Sequence, residues 1–247
     1  MFMRNLLAGI LLATVVSSAG AVEVLNPDNG HYYRTASPSS VRWKYAKLFA
    51  FQQIRGGQRG HLVTITSAAE QQFVVSNFGG GGGSFWTGGF QPAGSPEPDG
   101  NWQWVTGEPF EYANWYPGGG EPNNAYTNEF VIEVFAPSGY WNDTHLGDVE
   151  PWFPQVFQRR WVVEFTPGYE PVLDGADFLN WQRTYNRTSL QLGDFDASRR
   201  VDVDDLALWK KYFGGGTGSP TSVPEASAGL LATFALVGFA TLHRLKS

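Results

Sequence analysis

Cysteine is absent from the 247 residues. That excludes disulfides, thiolate nucleophiles, thiolate zinc cages and iron–sulfur ligation together. Basic residues are also few: 17 Lys and Arg stand against 23 Asp and Glu, a net charge of −6. No run of Lys or Arg interleaved with aromatics supplies the positive face that nucleic acid requires, so no nucleic-acid partner is expected. Charged residues of both signs make up only 16%, too few for a solvated, disordered chain. The four histidines, His31, His61, His145 and His243, form no metal motif, and neither Gly-x-Ser-x-Gly nor His-Glu-x-x-His occurs. No catalysis is expected.

What is abundant is aromatic: 15% of residues, including ten tryptophans, together with 30 glycines. This mixture suits a loop-rich domain with a real core, and the length allows one good core with extras or two modest domains. Both ends read as addresses. Arg4, an apolar stretch over residues 6–16 and Ala19-Gly20-Ala21 have the order of a signal peptide cleaved after Ala21. At the other end Val223-Pro224-Glu225 precedes an apolar run over residues 228–242 and a basic tail of His243, Arg244 and Lys246. The run is short against the roughly 17–25 residues of a membrane span. Its order resembles the bacterial PEP-CTERM sorting signal, although Ala226 stands where a second proline is usual. That resemblance implies export and C-terminal sorting machinery, and a secreted or cell-surface location with the apolar segment processed or a transient anchor.

Between these ends, Gly30-His31-Tyr32-Tyr33 suits a first strand. Trp43, Ala46 and Ala50 recur at helical spacing and predict an amphipathic helix over residues 41–51, broken at Gly56-Gly57. Leu62-Val63-Thr64-Ile65 reads as a short buried strand. Ser67 and Glu70 have the spacing of a capping box opening a second helix that runs to about Asn77. Neither Lys-Ser nor Lys-Thr follows the glycines at 79–83, so a flexible loop is expected there rather than a phosphate loop. Strand signals then fall at residues 85–87, 102–105, 128–135 and 161–165. Residues 107–125, rich in Gly, Pro and Asn, form a long connection of the kind that usually carries function.

That connection holds Glu121-Pro122-Asn123-Asn124. Glu129 follows at the start of an apolar strand, and Trp141-Asn142-Asp143 comes further on. Glu121, Glu129 and Asp143 offer three carboxylates, while Asn123 and Asn142 offer two amide oxygens. Calcium takes about six to eight oxygen ligands, charged and neutral, and the lack of soft ligands favours it over zinc or copper. A cis Glu121-Pro122 bond, at a cost of only about 0.5–1 kcal/mol for X-Pro, would turn the flanking carbonyls toward one point. The same residues suit a sugar. A carboxylate oxygen accepts and an amide NH₂ donates, so a Glu–Asn pair answers both functions of a hydroxyl that also touches the metal. Taken separately, Glu-Pro-Asn is ordinary turn chemistry and Trp-Asn-Asp an ordinary strand exit.

Taken in order, residues 30–165 resemble a C-type lectin-like domain. Gly60-His61-Leu62-Val63 is similar to the family's strand near the second helix, Trp86-Thr87-Gly88-Gly89 to its Trp-Ile-Gly strand, and Trp102 with Trp104 to its Trp-x-Trp element. Asn114-Trp115 resembles the Asn-Trp before the long loop, and residues 161–165 the closing strand. Glu121-Pro122-Asn123 and Trp141-Asn142-Asp143 resemble the two sugar-site motifs. The resemblance implies an α+β C-type lectin fold, with two helices packed on antiparallel sheets and a long calcium-binding loop. It also implies one principal Ca²⁺ site that contacts a glycan, formed by Glu121, Asn123, Glu129, Asn142 and Asp143. Glu-Pro-Asn goes in this family with mannose-type sugars bearing vicinal equatorial hydroxyls. Two features depart from the pattern: the family's usual disulfides are missing, and residues 144–160 form a longer connection, whose Trp152 and Phe153 suit either ligand or core. No auxiliary calcium site is expected near Asn124. The competing expectation is a surface component that binds no sugar, in which calcium only orders the loop.

A duplication follows. Asp174, Asp177, Trp181 and Tyr185 recur 28 residues later as Asp202, Asp205, Trp209 and Phe213, each copy giving a short amphipathic helix. Asp194, Asp196, Ser198, Asp202 and Asp205 occupy positions 1, 3, 5, 9 and 12 of a calcium loop. The segment resembles a dockerin type I repeat pair, which implies a weak second metal site and a cohesin-like protein partner. It departs from that pattern at position 6, where Arg199 replaces glycine, and the first copy lacks matching aspartates. The expected organisation is a signal peptide (1–21), a lectin-like domain (22–166), a helical repeat pair (167–214), a linker (215–222) and a sorting signal (223–247).

Overall fold

The aromatic and β-branched segments become the strands of an α+β fold. The computed structural model describes residues 23–35, 40–125, 128–136, 138–146 and 158–214. The expectations for the signal peptide, the linker, the sorting signal, Trp152 and Phe153 lie outside them. The strands are β1 (Val24–Leu25), β2 (Tyr32–Thr35), β3 (Ile54–Arg55), β4 (Gln58–Arg59), β5 (His61–Leu62), β6 (Ser84–Phe90), β7 (Gln103–Trp104), β8 (Val131–Phe135), β9 (Trp141–Thr144) and β10 (Arg160–Phe165). The helices are α1 (Trp43–Gln52), α2 (Ala68–Phe78), α3 (Gly175–Thr184) and α4 (Val203–Tyr212). One sheet runs β1-β2-β10-β6-β8-β9, with β5 on β10 and β7 on β6; β3 and β4 form a separate ribbon. The β6–β10 pair is parallel and the other named pairs are antiparallel.

Trp43, Ala46, Phe49 and Ala50 lie buried along one side of α1, and Leu48 and Phe51 are buried on other sides of it, Phe51 against Phe195 and Tyr212. The hydrophobic cluster under it includes Leu62, Trp86, Trp161 and Val163; a second cluster joins Tyr33, Ile65, Phe85, Trp104 and Trp141. The expected strand at 62–65 pairs only through His61–Leu62, but Val63 and Ile65 stay fully buried and the Val63 N–H bonds Val162 O. Close approach at β6 needs glycine: a Cβ on Gly88 would lie 2.6 Å from Val105 Cγ2, and one on Gly89 would strike Ile132. Packing of this kind fixes the sheet where no disulfide does.

The capping box at α2 is only half formed. Ser67 accepts the Glu70 N–H as expected, but the Glu70 carboxylate does not return to Ser67. It accepts from the N–H and hydroxyl of Thr66 and from the Tyr33 hydroxyl at 2.6 Å. Tyr33 also donates to the fully buried Glu164, which accepts the Thr64 N–H and lies 2.6 Å from His31 Nδ1. Burial pushes Glu164 toward its neutral form, but the nearby His61, the His31 contact and the Thr64 N–H outweigh it and hold the carboxyl below its ordinary value. This network joins β2, α2 and β10.

The 28-residue duplication becomes a reciprocal pair of helices. Asp174 and Asp202 each cap a helix in a complete box with Asp177 and Asp205. Trp181 Nε1 donates to Asp202 O, and Trp209 Nε1 donates back to Asp174 O. The pair docks on α1, where Phe195 and Tyr212 meet the Phe51 ring edge-on and Lys47 approaches Asp177 at 3.4 Å. Leu173 and Phe195 share the cluster of Trp43 and Trp86, so the two segments share one core across the expected boundary at 166. Among the described residues no helix is long and apolar enough to cross a membrane.

Candidate functional site

Strand register places the site. In the β8–β9 pair Ile132 faces Asp143 and Glu133 faces Asn142. Trp141 anchors β9 in the core: it is fully buried, donates Nε1–H to Gln71 Oε1 at 2.7 Å, and meets Trp104, Phe110, Tyr112 and Trp115 edge-on. The next two residues are thereby held at a defined place. Asp143 is fully buried, and its two oxygens accept the N–H groups of Asn123 (3.0 Å) and Asn124 (2.8 Å). The long loop is docked on β9 by these bonds. The Glu121-Pro122 bond is cis, as is Glu97-Pro98. Asn124, in the left-handed region at φ 46°, accepts the Glu129 N–H and closes the loop on that buried carboxylate.

All five residues of the expected cage therefore belong to one neighbourhood, but not as a finished shell. Asn142 donates to Glu133 Oε1 at 3.2 Å, and the Asn123 amide oxygen accepts from Ala125 N. The carboxylates of Glu121, Glu129 and Asp143 are not among the groups of described residues whose ligand atoms all lie within 4.8 Å of one another. Glu121 carries the clearest sign of an incomplete environment: its buried Oε2 has no hydrogen-bond partner. Burial, then contact with Asp143, then the charges of Asp143, Glu129 and Glu133 push its carboxyl up to about 7. Two carboxylates in contact require either a shared proton or a cation between them. An all-oxygen donor set with such an atom fits a hard divalent cation.

Two neighbours escaped the sequence reading. Glu133, whose other oxygen pairs with Arg159, faces Asn142 only through β-register, and no motif marks it. Glu97 comes from the separate 91–100 connection; burial, then the charge of Asp143, raises its carboxyl.

The second expected cluster is smaller than the spacing implied. Asp194, Asp196 and Asp205 bring their ligand atoms within 4.8 Å of one another. Asp202 does not join them, being committed to capping α4, and the Ser198 hydroxyl donates to Arg200 O. The demands of the helix start outweigh the loop numbering. Arg199 takes the left-handed conformation at φ 65° in place of glycine, and its N–H bonds Asp194 Oδ2. Asp194 is 1% exposed, its Oδ1 lacks a partner, and burial followed by the charge of Asp205 pushes it up to about 6. A third group, His31–Glu70–Glu164, belongs to the buried network already described.

Residues 52–152 match the family model described as "Lectin C-type domain". This span contains all five residues of the first cage and supports a C-type lectin domain there; the helical repeats lie beyond it. A C-type lectin mannose-binding isoform from Oxyuranus scutellatus is 28% identical over 142 residues, covering 57% of this chain and 85% of that protein. C-type lectin domain family 4 member K from Homo sapiens is 34% identical over 121 residues, covering 42% of this chain and 34% of that protein. Among solved structures, the C-type lectin CEL-I from Cucumaria echinata aligns at 24% identity with a TM-score of 0.44, over 55% of this chain and 90% of that one.

Proposed function

We propose that this chain binds glycans in a calcium-dependent manner at Glu121, Asn123, Glu129, Asn142 and Asp143. The observation that carries the reading is the buried, unpartnered Oε2 of Glu121, on a carboxyl that also contacts Asp143, the residue that docks the Asn123–Asn124 backbone. When bound, calcium supplies positions for two vicinal hydroxyls. The chain's own groups complete the recognition, carboxylates accepting from a hydroxyl and asparagine amides donating to it. Glu121 and Asn123 support mannose-type sugars as the ligand class, and the names of the relatives are in keeping with carbohydrate binding. The expected signal peptide and sorting segment support a secreted or surface-sorted protein.

A glycan array with calcium and then with chelator tests the reading. Chelator-sensitive binding to mannose, glucose, fucose or N-acetylglucosamine is expected. A blank array on folded, calcium-loaded protein would instead favour the surface component whose loop calcium merely orders.

Protons compete with the metal. The raised Glu121 carboxyl keeps its proton up to about 7 in the metal-free fold, whereas an unfolded glutamate loses it near ~4.3. Over that window rising pH removes stability from the metal-free fold, and the vacated carboxylate becomes a calcium ligand. Calcium affinity should therefore climb from pH 5 to about pH 7 and then flatten, with proton release on binding at pH 6 detectable by calorimetry in two buffers. A flat affinity profile with no proton release would remove Glu121 from the cage.

A second calcium ion at Asp194, Asp196 and Asp205 is favoured by the unpartnered Asp194 Oδ1. Native mass spectrometry should find two calcium ions per chain, and one in Asp194→Ala. An unchanged count would overturn this second site.

A further inference from the structure

The rim of the cage carries an aromatic pair that neither the fold nor the metal site uses. Tyr116 and Tyr140 are 38% and 36% exposed, and their rings lie 5.5 Å apart at 47°. Phe135 meets Tyr116 edge-on at 6.0 Å and braces it from behind. Single exposed aromatics are common on protein surfaces, whereas a contiguous, braced pair beside an anionic site is a feature with a definite position.

Backbone pairing fixes that position. Trp115 and Trp141 form a parallel bridge, and Tyr116 N–H donates to Trp141 O. Tyr140 directly precedes β9, where its carbonyl accepts the Phe135 N–H, and it lies two residues before Asn142, the spacing that places side chains on one face of an extended chain. Asn142 pairs there with Glu133. Two residues of strand separate Tyr140 from Asn142 by about 7 Å. On the other side Tyr116 O accepts the N–H groups of Gly119 and Glu121, tying the ring's own residue to the cage loop.

Glycine lets the ring lie there. A Cβ on Gly118 would sit 2.5 Å from the Tyr116 hydroxyl, and one on Gly119 would meet both Tyr116 Cδ1, at 3.1 Å, and the Glu121 carboxylate. The Gly118-Gly119 backbone is thus a bare shelf with the phenol ring laid along it and Glu121 at its far edge. One end of this surface is carboxylate and amide; the other is aromatic.

A pyranose has the same division. Its hydroxyls suit oxygen and amide partners, while its axial C–H groups present a polarised apolar face that matches the negative face of an aromatic ring. We propose that Tyr116 and Tyr140 form a second sugar subsite that stacks the pyranose next to the one held at the cage, so that the ligand is an oligosaccharide rather than a single sugar. The proposal rests on the calcium–sugar reading of the neighbouring residues.

Calorimetry on the full, calcium-loaded chain with mannose and with a linear mannose trisaccharide tests it. The unaltered protein should bind the trisaccharide more tightly than mannose, and each of Tyr116→Ala and Tyr140→Ala should weaken trisaccharide binding about two- to tenfold. Mannose affinity and calcium affinity should stay within about twofold, and Tyr116→Phe and Tyr140→Phe should keep the trisaccharide preference because the ring is retained. Equal affinity of the unaltered protein for both sugars overturns the subsite. So does a parallel loss for both sugars in the alanine variants, which would make the rings a mere support of the loop. Absence of chelator-sensitive binding to either sugar overturns the calcium–sugar reading itself, and the subsite with it.

Discussion

Asp143→Ala should abolish chelator-sensitive binding of both calcium and sugar, a loss of at least about a hundredfold. The buried carboxylate does two things at once. It is one of three acidic donors of the cage, and its oxygens accept the N–H groups that dock Asn123 and Asn124. Hydrogen bonds to a charged acceptor contribute about 1.5–3 kcal/mol each, and both are lost together. Removing the acid also relieves Glu121 of its closest charged neighbour, so the Glu121 carboxyl should fall toward its ordinary value. The fold should persist, because Trp141 and its neighbours do not depend on Asp143. Calcium titration followed by intrinsic tryptophan fluorescence, alongside a thermal melt, measures both. Retention of calcium affinity within about threefold in a folded variant would remove Asp143 from the cage.

The largest loss of stability is expected for Trp141→Ala, about 3–5 kcal/mol. Four aromatic rings meet this indole edge-on, and Gln71 in α2 accepts its N–H. The substitution would leave a cavity where β9 crosses the second cluster and strand Gln71 without its partner. Trp141→Phe should cost less, since part of the volume survives while the hydrogen bond does not. Urea denaturation of the three proteins gives the comparison, and a loss below about 1 kcal/mol for Trp141→Ala would contradict the central place given to this residue. Stability and binding are coupled here: Asn142 and Asp143 follow Trp141 directly, so calcium affinity should fall with the same substitution.

Local patterns proved reliable where the forces are local. The spacing of Trp43, Ala46 and Ala50 predicted the helix α1 and three of its buried residues, and Ser67 the start of α2. The repeat of Asp174 and Asp177 at Asp202 and Asp205 predicted two helices of like construction, and both carry complete capping boxes. Failures arose where another group, near or far in the chain, competed for the same atom. Glu70 had a local partner at Ser67 but turned to Thr66 and to Tyr33, 37 residues earlier in the chain. Asp202 had a numbered place in a metal loop but was taken by the start of α4.

The candidate site divides in the same way. Side-chain type and order along the chain determined its chemistry: oxygen donors only, acids mixed with amides, no thiolate and no imidazole motif. The glycines that make room for Tyr116 were also visible in the sequence, though not their purpose. Tertiary structure alone decided which groups meet. Glu133 reaches Asn142 because β8 pairs with β9 in one register, and a slip of one residue would put the two side chains on opposite faces. Burial decided protonation: Glu121 behaves unlike an ordinary carboxyl only because other acids surround it away from water. Donor chemistry belongs to the residue and travels with the sequence. Proximity, register and dielectric belong to the folded chain, and they make a set of oxygen donors into a binding site.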